Sequence, residues 1–183
     1  MGTVTRSRRS APLSLRVFAW LAAMLLASPA AADAPLEYAV KAAYLTKFPF
    51  YIDWPAGSFS APNSPVVLCV VGEDPFGPLL DEAAAGQQVQ GHPLVVRRLK
   101  SPSRESGCHE AFITSDVRSD AFQHSSTLVV TDAGGAGNGI INFVLKDNRV
   151  RFIIDEEAAV QSGLTVSSRL LSVALAVKPK TAR

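Results

Sequence analysis

The sequence predicts an α/β fold, a single-domain sandwich with a mostly parallel central sheet, a C-terminal β-hairpin and flanking helices. Three observations carry this. Residues 66–71 read VVLCVV, continuously apolar and β-branched, as a strand buried on both faces must be. Further short apolar runs alternate with turn and helix signals in the manner of parallel βα units. Near the end, runs at 140–145 and 149–154 are separated only by Lys146-Asp147-Asn148, the spacing of a hairpin.

The elements follow in order. Asp33 is a cap-like acid and Pro35 suits a first helical turn, so a helix begins there. Leu36, Ala39, Val40, Ala43 and Tyr44 fall on one apolar stripe, while Glu37 and Lys41 pair at i, i+4 on the other side. Pro49 limits this helix, and the aromatic segment that follows turns at Trp54-Pro55 into a loop reaching Pro65. After the first strand, Gly72-Glu73-Asp74-Pro75-Phe76-Gly77 is a turn, and 79–85 continues as a short helix ending near Gly86. Strands are predicted at 94–98, 111–114 and 127–131, with a short helical stretch around 120–123. Asp155 can cap a helix over 156–162 that Gly163 stops. A final helix is predicted from Ser167 through Leu170, Leu171, Ala174 and Leu175 until Pro179. There is no internal repeat.

The 183 residues, 48% hydrophobic and 19% charged, suffice for one cored domain and not for two. Arg6, Arg8, Arg9 and Arg16 precede the first acid, Asp33, and an uncharged run at 17–27 leads to Ala30-Ala31-Ala32. That is the pattern of a secretory signal peptide over residues 1–32, leaving a domain at 33–183. The run is shorter than the ~20 residues a bilayer span needs, so no membrane span is expected after cleavage. Without those arginines, 14 of the 18 basic side chains remain against 16 acidic ones, which argues against a nucleic-acid partner. Arg97-Arg98-x-Lys100 reads as a solvated strand end. In an oxidising compartment Cys69 and Cys108 read as a disulfide more readily than as a metal site or redox pair, the alternative being two buried thiols.

No catalytic residue, metal ligand set or cofactor site emerges, and the chain reads as a non-enzyme. The glycine-rich stretch Gly134 to Gly139 follows a strand but lacks the Gly-Lys-Ser/Thr ending and leads into a strand, so it reads as a flexible connection. His92, His109 and His124 form no metal-ligand spacing, and Cys108-His109 lacks a reason to be a thiolate–imidazole pair. Ser125-Ser126 and Ser167-Ser168 sit on no nucleophile elbow, and capping accounts for the second pair.

Several segments occur together in order: Lys41-Ala42-Ala43-Tyr44-Leu45 leading to Asp53-Trp54-Pro55, the turn Gly72 to Gly77, Cys108-His109, and a tail from Arg149-Val150-Arg151-Phe152 to Leu170-Leu171. In this the chain resembles the YfiR family of periplasmic regulators. The resemblance implies an α/β domain, a homodimer in many members, that binds the periplasmic domain of a YfiN-type membrane diguanylate cyclase. Holding that cyclase inactive lowers cyclic diguanylate and biofilm formation. The family's first cysteine pair maps onto Cys69 and Cys108, while a second pair known in some members has no counterpart here. The alternative is a periplasmic small-molecule-binding module with a pocket at the carboxyl ends of the parallel strands, near Gly72, Asp74 and Phe76. Interface composition puts partner contact on the segment from Arg151 through Arg169, at Phe152, Gln161, Leu164, Val166 and Arg169, with Trp54 as a second candidate, and the resemblance implies contact in the same C-terminal region. Of these, Gln161 and Val166 are expected at the surface, whereas Phe152 and Leu164 also suit a core.

Overall fold

The computed structural model describes residues 33–103, 106–114, 119–122, 125–132 and 139–180. The expected signal peptide, His124 and most of the glycine-rich stretch lie outside them. In chain order the elements are α1 (Asp33–Leu45), a 3-10 turn (Phe48–Tyr51), β1 (Ile52–Asp53), β2 (Val66–Val71) and α2 (Pro78–Ala84). Then come β3 (Gln88–Val89), β4 (His92–Leu99), β5 (Glu110–Ile113), a second 3-10 turn (Ser119–Phe122) and β6 (Leu128–Thr131). The chain ends with β7 (Ile141–Lys146), β8 (Arg149–Asp155), α3 (Glu156–Gln161), β9 (Thr165–Val166), α4 (Ser168–Val173) and β10 (Ala176–Lys178).

Eight strands form one sheet in the order β10-β8-β7-β6-β5-β2-β4-β3. β2 lies at its centre, parallel to β4 on one side and β5 on the other, as its unbroken apolar sequence requires. β5, β6 and β7 continue parallel, and β7 and β8 form the expected antiparallel hairpin. Its turn places Asp147 and Asn148 at φ 51° and 56°, the left-handed pair that a two-residue hairpin loop needs and that Asp and Asn tolerate. Alternation along the strands separates two apolar clusters. Leu68, Val70, Phe112, Leu128, Phe143 and Phe152 face the helices, meeting Leu45, Leu80, Ala159 and Leu170. Val67, Cys69, Val71, Ala111, Ile113 and Val129 face the other way, under Phe122.

Three corrections to the sequence-based expectations follow from long-range packing. The final helix stops at Val173. Ala174 is extended, the Leu175 N–H donates to the Phe152 carbonyl at 2.8 Å, and Ala176–Lys178 joins β8 as a parallel edge strand. A ladder partner there outweighs local helix propensity, which is only a few tenths of a kcal/mol per residue. Val166 is buried, not exposed, because it pairs with Ile52 in a two-stranded sheet of β1 and β9. The third concerns α1, whose apolar stripe is not the face turned to the core. Lys41 is 2% exposed while Leu36 is 66% exposed.

Gly139 shows why a glycine ends the connection into β7. A Cβ there would lie 2.9 Å from both the Ile141 carbonyl oxygen and the Thr131 side chain. Thr131 Oγ1 donates to Asn142 Oδ1, and Asn142 Nδ2 donates back to the Gly139 carbonyl at 2.9 Å, closing the cradle.

Cys69 and Cys108 are bridged, with Cα atoms 5.8 Å apart, tying the centre of β2 to the residues before β5 across 39 positions. One polar side chain sits in the core without compensation. Glu110 is fully buried between the β2 and β6 partners Leu68 and Leu128, and neither carboxyl oxygen has a hydrogen-bond partner. Burial raises its pKa well above the ordinary carboxylate value, so the folded state keeps a proton that the unfolded chain loses.

Two predictions follow from these core features. Cys69→Ser should lower unfolding stability by about 2–5 kcal/mol, measured by urea titration of non-reduced protein. For Glu110 the folded state binds more protons between the ordinary carboxylate pKa and its own raised one, so stability falls as pH rises through that window. Glu110→Met should abolish this slope and raise stability at neutral pH by about 1–3 kcal/mol, the cost of an unpaired buried polar group. Parallel titrations at acid and neutral pH measure it.

Candidate functional site

α1 carries two apolar faces separated by its charges. Ala42 and Leu45 enter the core, and Tyr38 packs edge-on against Phe76 with ring centroids 5.6 Å apart. Between the faces Lys41 is buried, and its Nζ donates to Asp132 Oδ1 and Oδ2 at 2.7 and 2.8 Å, donates to Glu37, and lies 4.9 Å from the Tyr38 ring centroid. Burial alone would lower its pKa, but the hydrogen bonds and charges of Asp132 and Glu37 more than offset this and leave it raised. A lysine held charged in this way is an anchor and not a nucleophile, which would need a lowered pKa. Because Asp132 follows β6, the pair fixes how α1 is rotated on the sheet.

The rotation leaves Ala39, Val40 and Ala43 outside the core, where they form one wall of an open apolar groove of about 750 Å³. The 3-10 turn closes one end, and α4 forms the opposite wall through Leu170 and Val173. Ser167 positions that wall. Its N–H donates to the Tyr51 carbonyl at 2.9 Å, and its hydroxyl caps α4 by accepting from the Arg169 N–H at 3.3 Å. The floor is aromatic. Tyr44 stacks on Phe48 at 5.7 Å, and both meet the Phe152 ring edge-on at 5.4 and 5.1 Å. Among the described residues, the basic side chains on the lining are Lys47 and Arg169, and no acidic one joins them. Lys47 Nζ donates to Gln87 Oε1 at 3.0 Å, outside the apolar floor. With Val173 57% and Val40 36% exposed, this is an apolar surface with a cationic rim, and among the described residues its lining holds no nucleophile–base pair.

Of the residues the sequence put forward for partner contact, the groove gathers Phe152 as floor and Arg169 as rim. Gln161 is exposed on α3 with its amide donating to Glu157. Leu164 and Val166 belong to the core, so neither offers a free surface. Trp54 is half-buried at the other end of the sheet, edge-on to Phe59 and His109, with its Nε1 buried and unpartnered.

The residues considered for a ligand pocket have structural work. Gly72 adopts φ 96° and donates to the Leu99 carbonyl, and Asp74 Oδ1 accepts from the Phe76 and Gly77 N–H groups. Asp74 Oδ2 pairs with Arg98, which also grips Asp81, and Phe76 is buried against Phe112. The groove itself was missed from sequence because an apolar stripe on an amphipathic helix ordinarily faces the core. The available signal was the second stripe, Tyr38, Ala42 and Leu45, on the far side of Lys41.

A family model described as YfiR/HmsC-like matches residues 38–175. No curated protein matches the chain.

The two walls of the groove predict contrasting mutational costs. Leu170→Ala, at a buried position, should lower stability by about 2–5 kcal/mol. Val173→Asp, one turn further along, should stay within about 0.5 kcal/mol of the parent. Thermal unfolding of the two variants checks the pair.

Proposed function

The chain belongs to the YfiR/HmsC-like family, and from that membership we propose that it is a periplasmic regulatory protein that binds and represses a YfiN-type inner-membrane diguanylate cyclase. In this role it enters the periplasm through the leader at residues 1–32, contacts the cyclase's periplasmic domain, and keeps cyclic diguanylate and biofilm formation low. The observation that supports a binding role is the apolar groove between α1 and α4, with Lys47 and Arg169 at its rim. Repression needs differential affinity for the inactive cyclase, and taking a two-state protein from about 1:99 to 99:1 requires roughly 5.5 kcal/mol. Burying a fully exposed aliphatic side chain contributes about 1.5–3 kcal/mol, so covering the partly exposed Val40 and Val173 supplies a share of this and contacts to the cationic rim must supply the rest. Among the described residues no helix is long and apolar enough to cross a membrane, which fits a chain that reaches the membrane through a partner.

One observation favours the second reading, a small-molecule-binding module: the groove's volume of about 750 Å³ falls within the range of ligand clefts, roughly 300–1,000 Å³. The same variants separate the two. Val173→Asp and Arg169→Glu should leave the thermal midpoint unchanged, abolish co-purification with the cyclase's periplasmic domain, and raise cellular cyclic diguanylate toward the level of a strain lacking the regulator. Gln161→Lys, remote from the groove lining, should leave repression intact. Retained co-purification and unchanged cyclic diguanylate in both groove variants would reject the groove as the cyclase site.

A further inference from the structure

At the amino ends of the parallel strands, opposite the Lys41–Asp132 pair, the loop from Trp54 to Pro65 is held by two histidines. The Phe59 ring lies between them, stacked on His92 at 4.1 Å and 18° and on His109 at 4.6 Å and 10°. Each histidine also ties down the loop backbone. His92 Nδ1 bonds the Ser64 carbonyl at 2.6 Å, and His109 Nε2 bonds the Ser58 carbonyl at 3.0 Å. The two tethers flank the stretch that carries Phe59.

The hydrogen bonds assign the protons. His109 Nδ1 accepts from the Val67 N–H at 3.1 Å, so it is unprotonated, and Nε2 carries the hydrogen given to Ser58. His92 donates from Nδ1, because a carbonyl can only accept. His109 cannot take up a proton with both bonds intact, because a proton on Nδ1 sets two donors against each other at the start of β2. The attraction of the Phe59 face for a cation does not restore the lost acceptor.

We propose that the His92–Phe59–His109 stack is an acid-released latch, closed while His109 is neutral, whose opening frees the 54–65 loop and uncovers Trp54 and Phe59. Burial holds the His109 pKa below the ordinary imidazole value; the Ser58 bond partly opposes this, and His92 adds a smaller lowering. Few other charges reach this corner. No residue from Trp54 to Pro65 has an ionisable side chain, and β2 and β6 contribute none besides the bridged Cys69. On β5, Glu110 follows His109 and is buried on the sheet face of Leu68 and Phe112, the cluster Trp54 and Phe59 pack against, where burial raises its pKa and keeps it uncharged. On β4, Arg97 bonds the Ser106 carbonyl. The open loop binds the His109 proton more readily than the closed one. Closure is therefore complete above the ordinary imidazole pKa, and below it each pH unit shifts the balance toward the open form by up to about tenfold, until the closed-state pKa is reached. Trp54 packs on both Phe59 and His109, so release of the stack removes its cover.

The latch is tested without any partner, so its failure leaves the cyclase reading untouched. Of the two tryptophans, Trp20 lies in residues 1–32, so in protein prepared without that segment Trp54 alone reports. On lowering pH from about 8 to 5, Trp54 emission should shift to the red and acrylamide quenching should rise. The midpoint should lie below 6.5, the unperturbed imidazole value, with the far-ultraviolet circular dichroism unchanged. Over the same range the Val67 amide should lose its hydrogen-exchange protection. His109→Gln, which offers an acceptor and a donor but no titration, should flatten the fluorescence response. Phe59→Ala should show the acid-form emission at all pH values. A Trp54 signal independent of pH, a Val67 amide protected throughout, or an unchanged transition in folded His109→Gln would each overturn the proposal.

Discussion

Lys41 is an ammonium buried on a helix that is otherwise apolar on both sides, and the arrangement of the molecule's outer face depends on where that charge is neutralised. Its two-oxygen contact with Asp132 ties α1 to the end of β6, and a buried charge left without such a partner is costly enough to forbid other rotations of the helix. Once the charge is satisfied, Ala42 and Leu45 must enter the core and Val40 must remain outside. The groove is thus a by-product of electrostatics. It is apolar because the helix had more hydrophobic surface than one sheet face could cover.

The two ends of the sheet are chemically unlike. The carboxyl end carries the saturated ion pairs of Lys41 and Arg98. Arg98 is gripped by Asp81 and Asp74, which hold its pKa above the ordinary guanidinium value and bind β4 to α2 and the turn before it. The amino end has instead a disulfide, two imidazoles, an unpartnered indole N–H and a protonated acid. Polar groups left short of partners make that end the less stable one, since each costs more to bury than a satisfied group. Conformational change is drawn from such regions.

On the proposed regulatory role, the separation has a use. The groove lies on a rigid frame, with an aromatic floor shared by α1, the 3-10 turn and the β7–β8 hairpin. The loop over the amino end is held by a few side-chain contacts to histidine. A signal that loosens the second need not deform the first, because β2 and its neighbours stand between them.

Much of the fold was legible in the residues themselves. The apolar run at 66–71, the Asp147-Asn148 turn, the Asp155 and Ser167 caps and the pairing of the only two cysteines are properties of short segments, and local sterics or redox chemistry suffice to read them. Facing and burial were not legible in the same way. Whether Lys41 lies inside depends on Asp132, 91 residues away; whether 176–178 is helix or strand depends on the free edge of β8; whether Val166 is covered depends on Ile52. The pattern along a helix or strand states which side chains share a side, because backbone geometry sets that period. Which side meets the core is a contest between burial and charge neutralisation, settled by groups far apart in the chain. For this protein that contest put the lysine inside and left an apolar face to the surroundings.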